Sequence, residues 1–246
     1  IGALSSNYLN GPNPSRNVTV VGSSANDLML VQNSYSVGSA KMGDGNDVVS
    51  MVNSYVQNNN PVSPADTLYL EGGDDLVIVH GADLAIDDVI DGGSGSDYIS
   101  FTHASWIYGN DSAAVTYTLN QGVTANFENI IGSKFADTLT GDDNANRIHG
   151  SSGNDTIYGY GGNDFLYGQK NEDSTSCDGV SYYGSNDILY GGAGNDQLCG
   201  GGGEDTLDGG TGTDTITGGD GADTFVIRSG DGSTTLADAD VITDFA

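Results

Sequence analysis

The chain has 246 residues, including 39 Gly and only 4 Pro, and 34 acidic residues against 6 basic ones give a formal net charge of −28. Such an acidic chain is a poor partner for nucleic acid, because phosphate contacts need Lys and Arg. No apolar run approaches the roughly 18 residues of a membrane-spanning helix, and two Cys are too few for a disulfide framework.

The first hundred residues contain six nine-residue segments with Asp at position six and an apolar residue at position eight. They read GSSANDLML, MGDGNDVVS, PVSPADTLY, LEGGDDLVI, DLAIDDVID and GGSGSDYIS, with inserts between several of them. Their position-six residues are Asp27, Asp47, Asp66, Asp75, Asp88 and Asp97. This half is either a degenerate repeat array or a separate β-sandwich with Asp-rich turns, and the apolar position eight favours the array.

The spacing is lost over residues 101–131, where the alternation in AVTYTL predicts one strand. From Gly132 to Val226 it becomes regular, with four unbroken units, an interruption at residues 168–181, and five more units from Tyr182. Position eight is apolar in all nine units. Position six is Asp in eight units and Asn in one, and these residues are Asp137, Asn146, Asp155, Asp164, Asp187, Asp196, Asp205, Asp214 and Asp223.

This spacing predicts a solenoid. Positions seven to nine form a short strand whose middle residue faces inward, and the Gly-rich positions one to six form a turn. Two units make one coil, so equivalent turns stack and bring their Asp residues one above another. Stacked carboxylates repel unless a cation lies between them, and oxygen ligands without His or thiolate favour a hard cation, with Ca²⁺ the most tolerant of irregular cages.

The motif Gly-Gly-x-Gly-x-Asp-x-apolar-x, repeated in register, resembles the RTX (repeats-in-toxin) calcium-binding family. The resemblance implies an all-β fold, a parallel β-roll with stacked calcium-binding turns. The stretch FENIIGSKFADTLTGDDNAN resembles the segment that enters such rolls, and GADTFVIRSGDGSTTLADADVITDF resembles a closing segment. We therefore expect a degenerate β-roll or β-rich region with inserts over residues 1–131 and an RTX β-roll over residues 132–246, with a loop insert at 168–181.

The family's calcium site implies a ligand set. It takes carbonyls at positions two and four and Asp six from one turn, and positions one, three and six from the turn one coil later. Carried over, the pairs are Ser133, Phe135 and Asp137 with Gly150, Ser152 and Asp155; Asp142, Asn144 and Asn146 with Gly159, Gly161 and Asp164; Tyr183, Ser185 and Asp187 with Gly200, Gly202 and Asp205; Gly192, Gly194 and Asp196 with Gly209, Thr211 and Asp214; and Gly201, Gly203 and Asp205 with Gly218, Asp220 and Asp223. Asn146 should weaken its pair, because ligand charge tunes affinity. The N-terminal candidates are Asp66, Asp75, Asp88 and Asp97.

The remaining side chains suggest no catalysis. No catalytic motif is present, so we expect no enzyme activity, and His80, His103 and His149 lack zinc-binding spacing. His149 at position nine should face outward. Outward aromatic residues at position nine either cover the strands or bind sugars, and these are Tyr158, Tyr167 and Tyr190.

The insert GQKNEDSTSCDGVS is polar and lacks an apolar strand, which predicts a projecting loop. Cys199 lies at position nine, where a free thiol would be exposed. Extracellular proteins lie in oxidising surroundings, so we expect Cys177 to bond to Cys199 and pin the loop.

The function implied by the resemblance is structural: a roll that binds Ca²⁺ and folds outside the cell. No secretory signal is visible and the chain starts at Ile1, so we expect a fragment or processed product of a larger type I secreted bacterial protein, with the type I secretion machinery as a partner. The favoured parent is a surface adhesin. The alternative is an accessory module of a secreted enzyme (protease, lipase or alginate epimerase) that binds cell-surface glycan through the tyrosine face.

Overall fold

The computed structural model describes residues 7–9, 18–32, 38–52, 67–79, 89–102, 114–122, 124–169, 177, 184–229, 231 and 239–244. The chain forms two compact units, Ile1–Ala113 with Leu119–Phe127 and Ala114–Thr118 with Glu128–Ala246. The regular structure within the described ranges is entirely β-strand. None of these ranges contains a helix that could cross a membrane.

The strands, numbered in chain order, are β1 (Asn7–Leu9), β2 (Val18–Val21), β3 (Leu28–Gln32), β4 (Gly38–Lys41), β5 (Val48–Val52), β6 (Thr67–Tyr69), β7 (Leu76–Val79), β8 (Val89–Asp91), β9 (Tyr98–Ser100), β10 (Thr116–Thr118) and β11 (Thr124–Ala125). They continue with β12 (Asn129–Ile131), β13 (Thr138–Thr140), β14 (Arg147–Ser151), β15 (Thr156–Gly161), β16 (Phe165–Gln169), β17 (Ile188–Ala193), β18 (Gln197–Gly202), β19 (Thr206–Thr211), β20 (Thr215–Asp220), β21 (Thr224–Phe225) and β22 (Val241–Ile242). The strand predicted from AVTYTL is β10.

In the first unit, consecutive strands alternate between two sheets. One sheet has the order β1-β3-β5-β7-β9 and the other β11-β8-β6-β4-β2. Each pair is parallel, as in the registers Met29↔Val49 and Val77↔Ile99. The described strands of this unit therefore show the topology of a roll and not the antiparallel pairing of a β-sandwich. The domain boundary expected after residue 131 stays a prediction.

The second unit has the same construction, with sheets in the orders β12-β14-β16-β18-β20-β22 and β10-β13-β15-β17-β19-β21. Its regular coils advance by eighteen residues, as in Leu189↔Leu207 and Leu198↔Ile216. Two strands and two turns thus make one coil. The expected all-β parallel β-roll is confirmed.

The core of the second unit is one apolar residue wide at each strand. The position-eight residues from Leu139 to Ile216 have no exposed surface at all: Leu139, Ile148, Ile157, Leu166, Leu189, Leu198, Leu207 and Ile216. They pack because alternate residues of a strand face opposite sides of its sheet. Because so thin a core buries little apolar surface, the turns must contribute much of the free energy of unfolding.

The insert differs from its expected bounds. Strand β16 continues through Gly168 to Gln169, and both residues are buried. Position 177 is the only described residue between 170 and 183, so the expected projecting loop lies otherwise outside the described residues. Cys177 is bonded to Cys199 with a Cα–Cα distance of 5.5 Å, which confirms the expected disulfide.

Candidate metal sites in the stacked turns

The position-six residues of the second unit form two columns. The first turn column joins the β12 sheet to the β13 sheet and contains Asp137, Asp155, Asp187, Asp205 and Asp223. The second turn column runs in the opposite direction and contains Asn146, Asp164, Asp196, Asp214 and Asp240.

A hydrogen bond links each member of a column to the next. The backbone N–H of Asp155 donates to Asp187 Oδ1 at 2.7 Å, and that of Asp187 donates to Asp205 Oδ1 at 2.8 Å. The second column repeats the bond, with Asp164 donating to Asp196 Oδ1 at 2.8 Å. One oxygen of each carboxylate therefore holds the column together.

The other carboxylate oxygen is left over. Oδ2 is buried and lacks a hydrogen-bond partner in six aspartates of the second unit: Asp155, Asp164, Asp187, Asp196, Asp205 and Asp214. A buried acceptor without a donor costs about 1–3 kcal/mol, and more when it is charged. The arrangement therefore provides a ligand atom for a cation at each of these turns.

Backbone carbonyls point along the columns as well. A side chain on Gly210 would collide with the carbonyl oxygen of Gly192, and one on Gly212 would collide with that of Gly194. Both glycines have positive φ, at 94° and 139°, which side-chain-bearing residues rarely adopt. The regular turns thus favour Gly at positions two and four, because the carbonyls of one turn lie against the Cα atoms of the next.

Carbonyl oxygens of the turn that ends in Asp214 also lie against the turn that ends in Asp196. The Gly209 carbonyl and Asp196 Oδ2 approach one point beside the Cα of Gly191, where any side chain would collide with both. The Thr211 carbonyl accepts from the Gly194 N–H at 2.9 Å. Carbonyls of positions two and four from one turn and of positions one and three from the next therefore each lie against the facing turn, in the two turns where the sequence placed a ligand set. The assignment of those ligands stays a prediction.

These oxygens suit a hard cation. In the described ranges no three side chains of His, Cys, Asp or Glu meet in one cluster, so a cation in the turns would draw most of its ligands from carbonyls. Ca²⁺ accepts such mixed cages of carboxylate and carbonyl oxygens. The site residues therefore fit Ca²⁺ better than a transition metal.

Burial shifts the carboxylates toward their neutral form when no cation is present. It raises the pKa of Asp155 to about 8 and those of Asp164 and Asp187 to about 7. The hydrogen bond from the adjacent backbone N–H opposes this shift. For Asp155, the neighbouring carboxylates of Asp187 and Asp137 add to it. Burial also raises the pKa values of Asp196 and Asp205 to about 6.

The first unit carries one described column of the same kind. The backbone N–H of Asp47 donates to Asp75 Oδ1 at 2.7 Å, and that of Asp75 donates to Asp97 Oδ1 at 2.8 Å. Asp27 lies above Asp47 in the same ladder. Burial raises the pKa of Asp47 to about 6 and also raises that of Asp75. The candidates Asp66 and Asp88 lie outside the described residues.

Sequence reasoning missed two stacking contacts and one member of the columns. Asp155 stacks on Asp187 and Asp164 on Asp196, each across the 14-residue interruption that hid the spacing. The N–H of Asp214 donates to Asp240 Oδ1 at 3.0 Å, so the closing segment adds one more carboxylate. Its signal was the pattern Asp-Val-Ile-Thr, in which Asp240 and Ile242 stand two residues apart like positions six and eight.

A second ladder runs beside the aspartates at position five. The Oδ1 atom of Asn163 accepts from the Asn195 N–H at 2.8 Å, and Asn195 Oδ1 accepts from the Thr213 N–H at 2.9 Å. Asn154 and Asn186 repeat this in the first turn column. The recurrent Gly-Asn-Asp triplet is the sequence signal of this ladder.

The turn that ends in Asp187 contains Gln169 where the sequence spacing placed Tyr183. Position two of the unit ending in Asp187 is Gln169 and not Tyr183, because Gln169 pairs with Ser151, a position-two residue. Gly168 takes position one, where a side chain would collide with Asp187 Oδ2 and the Gly200 carbonyl. The insert therefore enters within a unit, after its second residue. Tyr183 itself lies outside the described residues.

Asn146 is satisfied by protein groups. Its Nδ2 donates to the Glu128 carbonyl at 3.2 Å, and its Oδ1 accepts from the Asp142 N–H at 2.8 Å. It lacks the charge of the other members of its column. The weak site expected at Asn146 is consistent with these bonds and stays a prediction.

The outer faces of the two sheets differ. The rings of Tyr158 and Tyr190 stack at 5.0 Å, and beside them Tyr160 is 59% exposed. On the other sheet His149 stacks on Tyr167 at 4.6 Å, and both are buried. The outward direction expected for these two residues stays a prediction, and they are nevertheless buried because ring stacking covers this part of the sheet. His80 and His103 lie outside the described residues.

These features define a class: a parallel β-roll whose stacked turns align buried carboxylates and carbonyls. A family model for the RTX calcium-binding nonapeptide repeat (4 copies) matches residues 87–101, 124–152, 140–174, 183–207 and 200–233. The chain thus carries RTX repeats, which bind Ca²⁺ and are structural rather than catalytic. The search of curated proteins finds no match.

Proposed function

We propose that this chain is a calcium-dependent folding module whose roll becomes ordered when Ca²⁺ enters the stacked turns. The observation that carries the proposal is the row of buried Oδ2 atoms without a hydrogen-bond partner. At each such oxygen, the folded chain either keeps a buried, unpaired negative charge or the carboxylate takes up a proton. A cation in the turn removes that cost and supplies stability by mass action, because it binds the folded state.

The energetics favour a large dependence on calcium. Ordering one residue costs about 1–2 kcal/mol of backbone entropy, and 39 glycines increase that cost. Burial of only one apolar side chain per strand opposes this entropy cost. The net charge of −28 adds repulsion that is strongest where the aspartates stack.

The candidate ligands are the position-six aspartates with the carbonyls of positions one to four in adjacent turns. The Asp196–Asp214 pair is the best supported, since its Oδ2 atoms lack hydrogen-bond partners and carbonyls of each turn lie against the other turn. Ca²⁺ would neutralise the paired charges and draw the turns together. In the first unit the equivalent pairs lie among Asp47, Asp75 and Asp97.

Calcium dependence suggests where the module works. Extracellular calcium modules bind with Kd values of about 10⁻⁴–10⁻³ M, so a roll of that affinity is loose in a low-calcium cytosol and ordered outside. A loose chain can pass through a type I secretion channel and fold on exit. We therefore infer a secreted or cell-surface location in a bacterium, with the type I machinery as a partner.

Two roles fit such a module. We favour a supporting segment of a surface adhesin, because repeated structural coils suit a spacer. The stacked Tyr158 and Tyr190 with the exposed Tyr160 support the alternative of a glycan-binding accessory module of a secreted enzyme. A glycan array with and without Ca²⁺ separates them: binding lost in Tyr160→Ala supports the accessory role, and an absence of binding supports the adhesin.

The folding proposal is tested by circular dichroism and hydrodynamic radius in EDTA and in millimolar CaCl₂. We expect a larger radius and little β-structure in EDTA, and a compact β-rich chain with calcium. The same spectrum and radius in both conditions would overturn the proposal. MgCl₂ at equal ionic strength is the control for screening of the net charge.

A further inference from the structure

The turn that contains the insert is built differently from its neighbours. In the first turn column, position two has positive φ at Ser151, Gly201 and Gly219, at 86°, 110° and 101°. Gln169 occupies position two of the intervening turn and is not among the described residues with positive φ. Its backbone therefore leaves the regular path of the motif.

The side chain of Gln169 takes the place of its carbonyl. A Cβ on Gly219 would meet the Gly201 carbonyl oxygen first, whereas one on Gly201 would meet Cβ, Cγ and Cδ of Gln169, all at 3.2 Å. Pairing of β18 with β20 extends to Gly202↔Asp220, but pairing of β16 with β18 ends at Tyr167↔Cys199. The space between these two turns thus holds an amide side chain where regular turns present a position-two carbonyl.

The side-chain amide of Gln169 donates hydrogen bonds inside the roll. Nε2 of Gln169 donates to the Gly202 carbonyl at 2.5 Å and to Ser185 Oγ at 3.1 Å, and the residue is only 9% exposed. Gly202 is position three of the next turn, and its carbonyl belongs to the ligand set expected for Ca²⁺. A cation and the amide N–H group would compete for that oxygen, since an amide nitrogen carries hydrogens and no lone pair for a metal.

We propose that Gln169 is a built-in plug that replaces Ca²⁺ between the turn ending in Asp187 and the turn ending in Asp205. The amide N–H group occupies the Gly202 carbonyl that a cation would need. The buried Oδ2 atoms of Asp187 and Asp205 are then left to the sites shared with Asp155 and Asp223, and Gln169 Oε1 stays buried without a hydrogen-bond partner. The same side chain joins the two ends of the insert, because Gln169 precedes it and Ser185 follows it. The plug thus lets a long loop leave the roll without an intact calcium turn. This proposal rests on the proposed calcium-binding function of the other turns.

The test counts calcium ions bound per chain by equilibrium dialysis with Ca²⁺ alone, on the full chain with its disulfide intact. Gln169→Gly removes the plug and restores the residue type that position two favours, and Gln169→Glu replaces the amide by a carboxylate of the same shape. We expect each variant to bind one calcium more than the parent chain. Gln197→Glu is the matched control, because Gln197 begins strand β18 at position seven, outside the candidate ligand positions, and this variant should leave the number unchanged.

The outcomes are distinct. An unchanged number in both variants, or one calcium fewer in Gln169→Gly, overturns the plug, the latter because Gln169 would then be a ligand. If Gln169→Gly fails to fold, Gln169→Glu still decides the question. A parent chain that binds no calcium defeats the proposed function itself, and a parent that binds calcium while its variants gain none defeats only the plug.

Discussion

Asp164 and Asp196 are 32 residues apart in the chain, yet the backbone N–H of Asp164 donates to Asp196 Oδ1 at 2.8 Å. The same carboxylate leaves Oδ2 buried without a hydrogen-bond partner. One oxygen therefore fixes the stacking of coils while the other is available to a cation. Under the proposed function, this single side chain couples the stacking of coils to calcium binding.

The position of an aspartate within its column should set its effect on calcium binding. Asp196 lies between Asp164 and Asp214, so its carboxylate faces two candidate sites, whereas Asp137 follows Val115 and faces one. Asp196→Asn should raise the calcium midpoint of folding more than Asp137→Asn, as followed by circular dichroism. The exposed Asp143→Asn removes the same charge from a turn and should leave the midpoint near that of the parent. Equal shifts in all three variants would mean that net charge alone matters.

Calcium binding should weaken as the pH falls. Burial raises the pKa of Asp155 to about 8 and that of Asp164 to about 7, so these groups are neutral in the calcium-free roll at low pH. A raised carboxyl pKa stabilises the calcium-free fold below about pH 4, and this contribution is lost as the pH rises through about 7 to 8. Because Ca²⁺ must displace those protons, we expect affinity at least about tenfold lower at pH 5.5 than at pH 8.

Calorimetry in two buffers of different ionisation enthalpy measures the proton release that this account requires. Asp155→Asn should reduce the number of protons released. Equal affinity at both pH values, with no proton release, would show that the buried aspartates are already ionised.

Gly212, at position four of its turn, should be essential to the close approach of adjacent turns. Gly212 has φ of 139°, and a side chain there would collide with the Gly194 carbonyl. Gly212→Ala should therefore destabilise the calcium-bound roll by about 1–3 kcal/mol or more, measured by urea unfolding. Tyr160→Gly is the control, because Tyr160 already has φ of 80° and its replacement relieves this conformation. A neutral Gly212→Ala would contradict the close approach of the turns.

The disulfide should stabilise the roll without binding calcium. It closes a loop between residues 22 positions apart, for which chain entropy gives about 3 kcal/mol. The double variant Cys177→Ser with Cys199→Ser should lower the free energy of unfolding by roughly that amount and leave the number of bound calcium ions unchanged. Alkylation without reductant should modify neither Cys, and two reactive thiols would contradict the bond.

The regular half of the roll was predictable because its spacing is unbroken. Position eight of each unit was assigned to the core, and residues such as Leu189 and Leu198 are fully buried. The same spacing placed Asp196 over Asp214, since eighteen residues make one coil. Local sequence sufficed there, because each unit contacts only its neighbours.

The sequence was less informative where the unit is split or covered. Tyr183 continued the nine-residue spacing backward from Asp187, but the chain enters that turn through Gly168 and Gln169, and only their pairing in space reveals it. His149 followed the outward position of its strand, yet it is buried by stacking on Tyr167. Spacing along the chain reports which way a side chain points and not what covers it.

The central claim is that Ca²⁺ in the stacked turns orders the roll, and hydrogen exchange of the aspartate ladder tests it most directly. The backbone N–H groups of Asp155, Asp164 and Asp196 are bonded to carboxylates of the next coil. With saturating Ca²⁺ we predict that they exchange at least about 100-fold more slowly than in EDTA. Equal protection of these three amides in both conditions would contradict the account, because the ladder would then form without the cation.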